Sequence, residues 1–194
     1  MPTIIYLHGF ASVGQGAKSD ALAAVYGKEH VHAPDLPVNP TEVKQIVGDI
    51  VRNITDFPLV FVGTSLGGFW ANHFAQLYDA PCVIVNPSTT PSVNMESRVG
   101  KPIVNFKTGE LFTVTSDDVA NYVRCEAETA EGLNGALVNL FLARDDDVID
   151  YNLTLNRLPY TKTCVITDTG GHRYDTLWNT VVDRVRELAP PNPS

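Results

Sequence analysis

The chain has 194 residues and only three cysteines, Cys82, Cys125 and Cys164, which are far apart and form no C-x-x-C pair. An odd count without framework spacing excludes a disulfide scaffold and reads as reduced thiols of an intracellular protein. Cys82 and Cys164 lie in apolar runs and are expected in the core, whereas Cys125 sits near charged residues and suggests no role. No stretch approaches the ~20 apolar residues of a membrane span. The opening run Thr3-Ile4-Ile5-Tyr6-Leu7 is strand-like and has no basic leader before it, so a cytoplasmic location is expected. Clusters of Lys or Arg are missing too: 14 basic residues against 22 acidic ones give a formal charge of -8. Nucleic acid and anionic membranes are held by clustered cations, so neither is expected as a partner. The sequence contains no internal repeat and no low-complexity segment.

What is present is a regular alternation. Short apolar, β-branched runs at Thr3–His8, His30–Ala33, Leu59–Gly63, Cys82–Asn86, Val138–Ala143 and Thr163–Thr167 read as strands. Helical patterns fall between them, at Ser19–Tyr26, Pro40–Asn53, Leu66–Tyr78, Ser116–Cys125, Tyr151–Leu158 and Tyr174–Leu188. Strands apolar on both faces and alternating with helices imply an α/β fold with a mostly parallel sheet covered on both sides. Ligands then bind beyond the carboxyl ends of the strands. One stretch, from about 87 to 131, breaks the rhythm with prolines and a Lys107-Thr108-Gly109-Glu110 turn, then a helix capped by Thr115 and Asp118. It is expected to be a small cap insertion in a single domain spanning 1–189. Residues 190–194, Pro-Pro-Asn-Pro-Ser, are expected to be a frayed, disordered tail.

The strongest chemical signal is Gly63-Thr64-Ser65-Leu66-Gly67-Gly68. A G-x-S-x-G triplet arises by chance in ~6% of chains this long, so context must decide. Here it follows Leu59-Val60-Phe61-Val62 and opens a helix, the strand–turn–helix setting of a nucleophile elbow. So tight a turn needs residues without Cβ two before and two after the serine, which Gly63 and Gly67 supply. The competing readings are a packing turn and a phosphate loop. The second fails because no lysine follows the glycines and no G-x-G-x-x-G is present.

A serine hydroxyl needs a base to take its proton. Of five histidines, His30 and His32 flank an early strand, His73 lies mid-helix among aromatics, and His8 ends the first strand. His172 alone falls in a late loop directly after a strand, the place of the base in the order serine, acid, histidine. The acid should follow the penultimate strand, where Asp145-Asp146-Asp147 stand together, and spacing does not choose among them. Asp150 reads as a helix cap, and the glycine and spaced ligands of a calcium loop are missing. An oxyanion would take backbone N–H groups from Leu66, after the nucleophile, and from Phe10 in Leu7-His8-Gly9-Phe10.

Tyr6-Leu7-His8-Gly9-Phe10, the Ser65 motif, Asn86-Pro87, Thr108-Gly109, Asp146 through Tyr151 and Gly170-Gly171-His172 occur in that order over nearly the whole chain. This ordered set resembles the YqiA-like esterases, small bacterial α/β-hydrolases. The resemblance implies a compact α/β-hydrolase fold and hydrolysis of short acyl esters or acyl-CoA thioesters. It also implies that the acid is Asp146, by the pattern Asp, any residue, then an aliphatic residue. Asp145 departs from the glycine usual before that acid. A catalytic triad of Ser65, Asp146 and His172 is therefore expected, with an oxyanion hole at Phe10 and Leu66 and with no metal or cofactor required. The expected partner is a small-molecule ester or thioester. Thioesterase, acyltransferase and silent binding-protein readings stand as alternatives, because a fold does not guarantee an activity.

Overall fold

The computed structural model describes residues 1–191. The chain runs β1 (Thr3–Leu7), α1 (Ala17–Tyr26), β2 (Val31–His32), α2 (Pro40–Arg52), β3 (Leu59–Thr64), α3 (Leu66–Tyr78) and β4 (Cys82–Val85). It continues through α4 (Pro91–Glu96), β5 (Pro102–Val104), β6 (Leu111–Thr113) and α5 (Ser116–Glu131). It then enters β7 (Val138–Ala143), α6 (Tyr151–Arg157), β8 (Thr163–Thr167) and α7 (Trp178–Leu188). Six strands form one sheet in the order β2-β1-β3-β4-β7-β8, every neighbouring pair parallel.

Alternation along each strand sends side chains to two separate cores. Ile5, Leu7, Phe61, Ile84 and Leu140 pack with α2, α3 and α5 on one face. Ile4, Tyr6, Val60, Val62, Val83 and Phe141 pack with α1 and α7 on the other. Such a central strand is buried throughout: β3 and β4 are buried at every position, and Thr64 is the one polar residue among them. Cutting one of these aliphatic side chains back to alanine costs about 2–5 kcal/mol.

Two expectations are corrected. Cys164 is exposed, not a core thiol, because β8 is the edge strand and pairs with β7 alone. The helix expected from Tyr174 begins at Trp178, since Tyr174 takes a left-handed conformation (φ 57°) ahead of a single turn of 3-10 helix. The helix after Thr115 runs on past Cys125 to Glu131, and α4 has no clear periodicity in the sequence. Thr115 and Asp118 do cap α5 reciprocally, and Asp150 accepts from Asn152 N–H at the start of α6. Pro190 and Pro191 carry no regular structure; the rest of the expected tail, 192–194, lies outside the described residues.

The segment between β4 and β7 is tied down near the carboxyl end of β1. Its β5–β6 hairpin is antiparallel. Asn105 Nδ2 donates to the Ser12 carbonyl, Phe106 N–H donates to the Ala11 carbonyl, and Phe112 meets Phe10 edge-on at 5.7 Å. Among the described residues, no helix is long and apolar enough to cross a membrane.

Candidate active site

β3 delivers Ser65 to the end of the sheet, and α3 departs at once in the opposite direction. The reversal leaves Ser65 at φ 55°, ψ -120°, a conformation that costs of order 1–3 kcal/mol and persists only when its surroundings hold it. They do so by backbone contacts. Ser65 N–H donates to the Val85 carbonyl, while the Ser65 carbonyl accepts from Gly68, Phe69 and Ser88 N–H groups. A Cβ on Gly67 would run into the carbonyl of Leu7, and one on Gly63 into that of Gly67. Glycine at these two positions is a steric requirement of the turn.

His172 approaches from the loop after β8. Its Nε2 lies 2.9 Å from Ser65 Oγ, and its Nδ1 lies 2.9 and 3.0 Å from the two carboxylate oxygens of Asp146. A carboxylate can only accept, so Nδ1 carries the proton and the Nε2 lone pair faces the hydroxyl. The Asp146 side chain is 1% exposed. Burial is the largest influence on it and raises its pKa. Hydrogen bonds from His172, Ile149 N–H and Val148 N–H outweigh burial and hold the carboxyl below its ordinary value. It stays ionised at neutral pH.

The other two carboxylates separate by position. Asp147 is exposed. Asp145 accepts from Gly171 N–H at 2.8 Å and Gly170 N–H at 3.3 Å, and so grips the loop that carries the imidazole. Asn86 holds the same loop from the sheet. It is 1% exposed, donates to the carbonyls of Gly171 and His172, and accepts from Ala143 N–H. Sequence reasoning offers Asp145 only as one of three candidate acids, not as a support for this loop, and assigns Asn86 no role. A polar residue ending an apolar strand before proline was the available signal for Asn86.

Opposite the histidine, Gly9 brings the loop after β1 against Ser65: a Cβ placed on Gly9 would stand 3.4 Å from Ser65 Cβ. His8 sets this loop. Leu36 N–H donates to its Nε2 at 2.8 Å, so its proton sits on Nδ1 and is donated to the Gly9 carbonyl at 2.7 Å. Burial lowers the pKa of His8 and keeps the ring neutral. The N–H groups of Phe10 and Leu66 have no protein acceptor among the described residues. Both residues line a cavity of about 80 Å³, closed by Leu36, Val38, Trp70 and, from the hairpin, Asn105 and Phe112. A second cavity, of about 280 Å³, lies across α3 between Phe69, Pro87, Glu126 and Leu158.

A parallel sheet with helices on both faces, a strained serine between β3 and α3, and a histidine loop after the last strand define the α/β-hydrolase fold. Fold comparison agrees. Est1E from Butyrivibrio proteoclasticus superposes with a TM-score of 0.66 at 15% identity, covering 96% of this chain and 88% of that one. A Paleococcus ferrophilus monoacylglycerol lipase gives a TM-score of 0.67 at 13% identity, with 97% of each chain covered. At such identities the likeness is one of fold.

By sequence the relationship is narrower. The family model described as "Uncharacterised protein family (UPF0227)" matches residues 3–186, and the chain belongs to that family. A UPF0227 protein of Pectobacterium carotovorum subsp. carotovorum is 28% identical over 180 residues, 90% of this chain and 92% of that one.

Proposed function

We propose that this protein is a serine esterase of the YqiA-like kind, hydrolysing carboxylic esters of short acyl chains through an acyl-enzyme. The observation that carries the reading is the 2.9 Å between His172 Nε2 and Ser65 Oγ, in a ring whose other nitrogen is bound to a buried carboxylate. Ser65 Oγ attacks the ester carbonyl while His172 Nε2 takes its proton. Asp146 stabilises the imidazolium, and the oxyanion accepts from the Leu66 and Phe10 N–H groups. Collapse expels the alcohol, which leaves with the proton from Nε2. Water then gives a proton to the same nitrogen and attacks the acyl carbon. The second collapse releases the carboxylic acid and returns the proton to Ser65.

The preference for short chains rests on the cavity beside those two N–H groups. Its 80 Å³ is far below the ~300–1,000 Å³ of pockets that enclose drug-sized ligands. In this reading the β5–β6 hairpin is part of a cap that closes the acyl end. Est1E, a fold neighbour, has been seen with ferulic acid bound, a carboxylic acid of the class that ester hydrolysis releases.

The test is a panel of aryl esters graded from acetate to palmitate, run beside acyl-CoA thioesters. Turnover should peak at acyl groups of two to about four carbons and fall steeply beyond, as the cavity fills. Ser65→Ala should lower kcat by ~10⁴–10⁶ while leaving the fold intact. Equal turnover by the variant would refute the reading.

A further inference from the structure

The contact between α3 and α5 holds a second imidazole that ester hydrolysis does not use. His73 is 4% exposed and packs among Phe69, Trp70 and Phe74. Thr129 Oγ1 gives its single proton to the Cys125 carbonyl at 2.7 Å. At 2.8 Å from His73 Nδ1 that oxygen can then only accept. The ring proton is thereby fixed on Nδ1, and Nε2 is left with a bare lone pair. Nε2 is a buried atom with no hydrogen-bond partner among the described residues. An acceptor abandoned in the interior costs ~1–3 kcal/mol unless a cation or a donor meets it.

Two further ligand-bearing side chains stand beside the ring. Cys125 and Glu128 are three residues apart on α5 and so share one face of that helix. One ligand atom from each of His73, Cys125 and Glu128 lies within 4.8 Å of the others, and His73 Nε2 is 3.9 Å from Glu128 Oε2. We propose that His73, Cys125 and Glu128 form a zinc site, with Nε2, Sγ and a carboxylate oxygen as protein ligands and water in the fourth position. Mixed nitrogen, sulfur and oxygen donors suit Zn²⁺, whereas Mg²⁺ and Ca²⁺ require oxygen. Cys125 loses its thiol proton to solvent when the ion binds.

The geometry needs a closure. Tetrahedral ligands at ~2.0–2.3 Å from zinc are about 3.3–3.8 Å apart, so up to about 1.5 Å must be taken up. Glu128 can supply this, since its side chain is half exposed and flexible, and its exposure gives the ion a way in. Lys44 Nζ, 2.8 Å from Glu128 Oε2, holds that carboxylate in the metal-free protein and must yield it. Lys44 is thus the competitor. His73 is eight residues along α3 from Ser65, about 12 Å of helix, so the ion would not touch the reacting atoms. It would pin α5, part of the segment inserted between β4 and β7, to the helix that begins at the nucleophile.

Co²⁺ serves as a coloured probe for the full-length protein. One equivalent should produce a thiolate-to-cobalt charge-transfer band that Zn²⁺ bleaches. Cys125→Ser should abolish the band and Cys164→Ser should leave it, with circular dichroism checking that both variants are folded. Glu128→Gln, a change at an exposed position, should weaken Zn²⁺ binding by ~10-fold or more. Lys44→Ala should tighten it, the opposite of what loss of a merely structural ion pair would do. The proposal is overturned if the folded protein binds neither ion saturably, or if the band survives Cys125→Ser.

Discussion

Two regions of this molecule each hold an imidazole whose Nδ1 is fixed by a partner and whose Nε2 presents its lone pair. At the rim of the sheet, His172 rests on the Asp146 carboxylate and looks out at a hydroxyl 2.9 Å away. Between α3 and α5, His73 rests on the neutral hydroxyl of Thr129 and stands beside a thiol and a carboxylate. The difference lies in what holds Nδ1. A carboxylate stabilises the imidazolium that forms when Nε2 takes a proton, and the His172 side chain is 20% exposed. A hydroxyl gives no such help, and burial pushes the His73 pKa down to about 4. The first ring is equipped to be a base and the second to remain a neutral ligand.

The widest separation between the regions should appear on removing the acid. Asp146→Asn is expected to lower kcat by ~10⁴, because an amide cannot enforce the Nδ1–H tautomer or balance the imidazolium. Asp147→Asn, at an exposed carboxylate, should leave kcat within about twofold; Asp145→Asn should lie between them, because it loosens the histidine loop without touching the ring. Steady-state kinetics on an aryl butyrate measures all three. A flat result would dissolve the contrast between the two imidazoles.

Gly67→Ala tests the elbow beneath the rim. Its methyl must displace the Leu7 carbonyl, so a loss of ~3 kcal/mol or more in urea unfolding is expected, together with impaired kcat. On the other side of the comparison, Thr129→Val removes the acceptor of the His73 Nδ1 proton. It should cost ~1–3 kcal/mol of stability with kcat unchanged, a pairing that no rim substitution should reproduce.

The smallest effect concerns His8. Its folded pKa lies below the unfolded value of ~6.5, so the unfolded chain binds more protons as pH falls through that window. The stability supplied by neutral His8 is complete above ~6.5 and drains away below it. The stability gap between the native protein and His8→Asn should therefore narrow from pH 7.5 to pH 5. A constant gap would show that His8 does not titrate on unfolding. Asp146, whose carboxyl is depressed, has the same sign but acts lower, below ~4.

Much of this fold is legible in the sequence alone. β3 and β4 are buried at every position, so their unbroken apolar runs announce a covered parallel sheet. Gly63 and Gly67 announce the tight turn because no other residue fits it. Harder to read was anything set by the meeting of distant segments. Asp145 and Asp146 are neighbours with the same side chain, yet one grips backbone amides and the other the ring, a division made by the loop after β8. Cys164 read as core because an edge strand and a central strand look alike in sequence. His73 and Cys125 are 52 residues apart and meet only through the packing of two helices, which no spacing rule captures.

The most direct test of the central claim is covalent labelling of Ser65 by a fluorophosphonate, which reacts only with an activated serine. The account predicts stoichiometric modification of Ser65 in the native protein and at least a ~10³-fold slower reaction in folded His172→Ala. Labelling at an undiminished rate in His172→Ala, or none at all in the native protein, would contradict it.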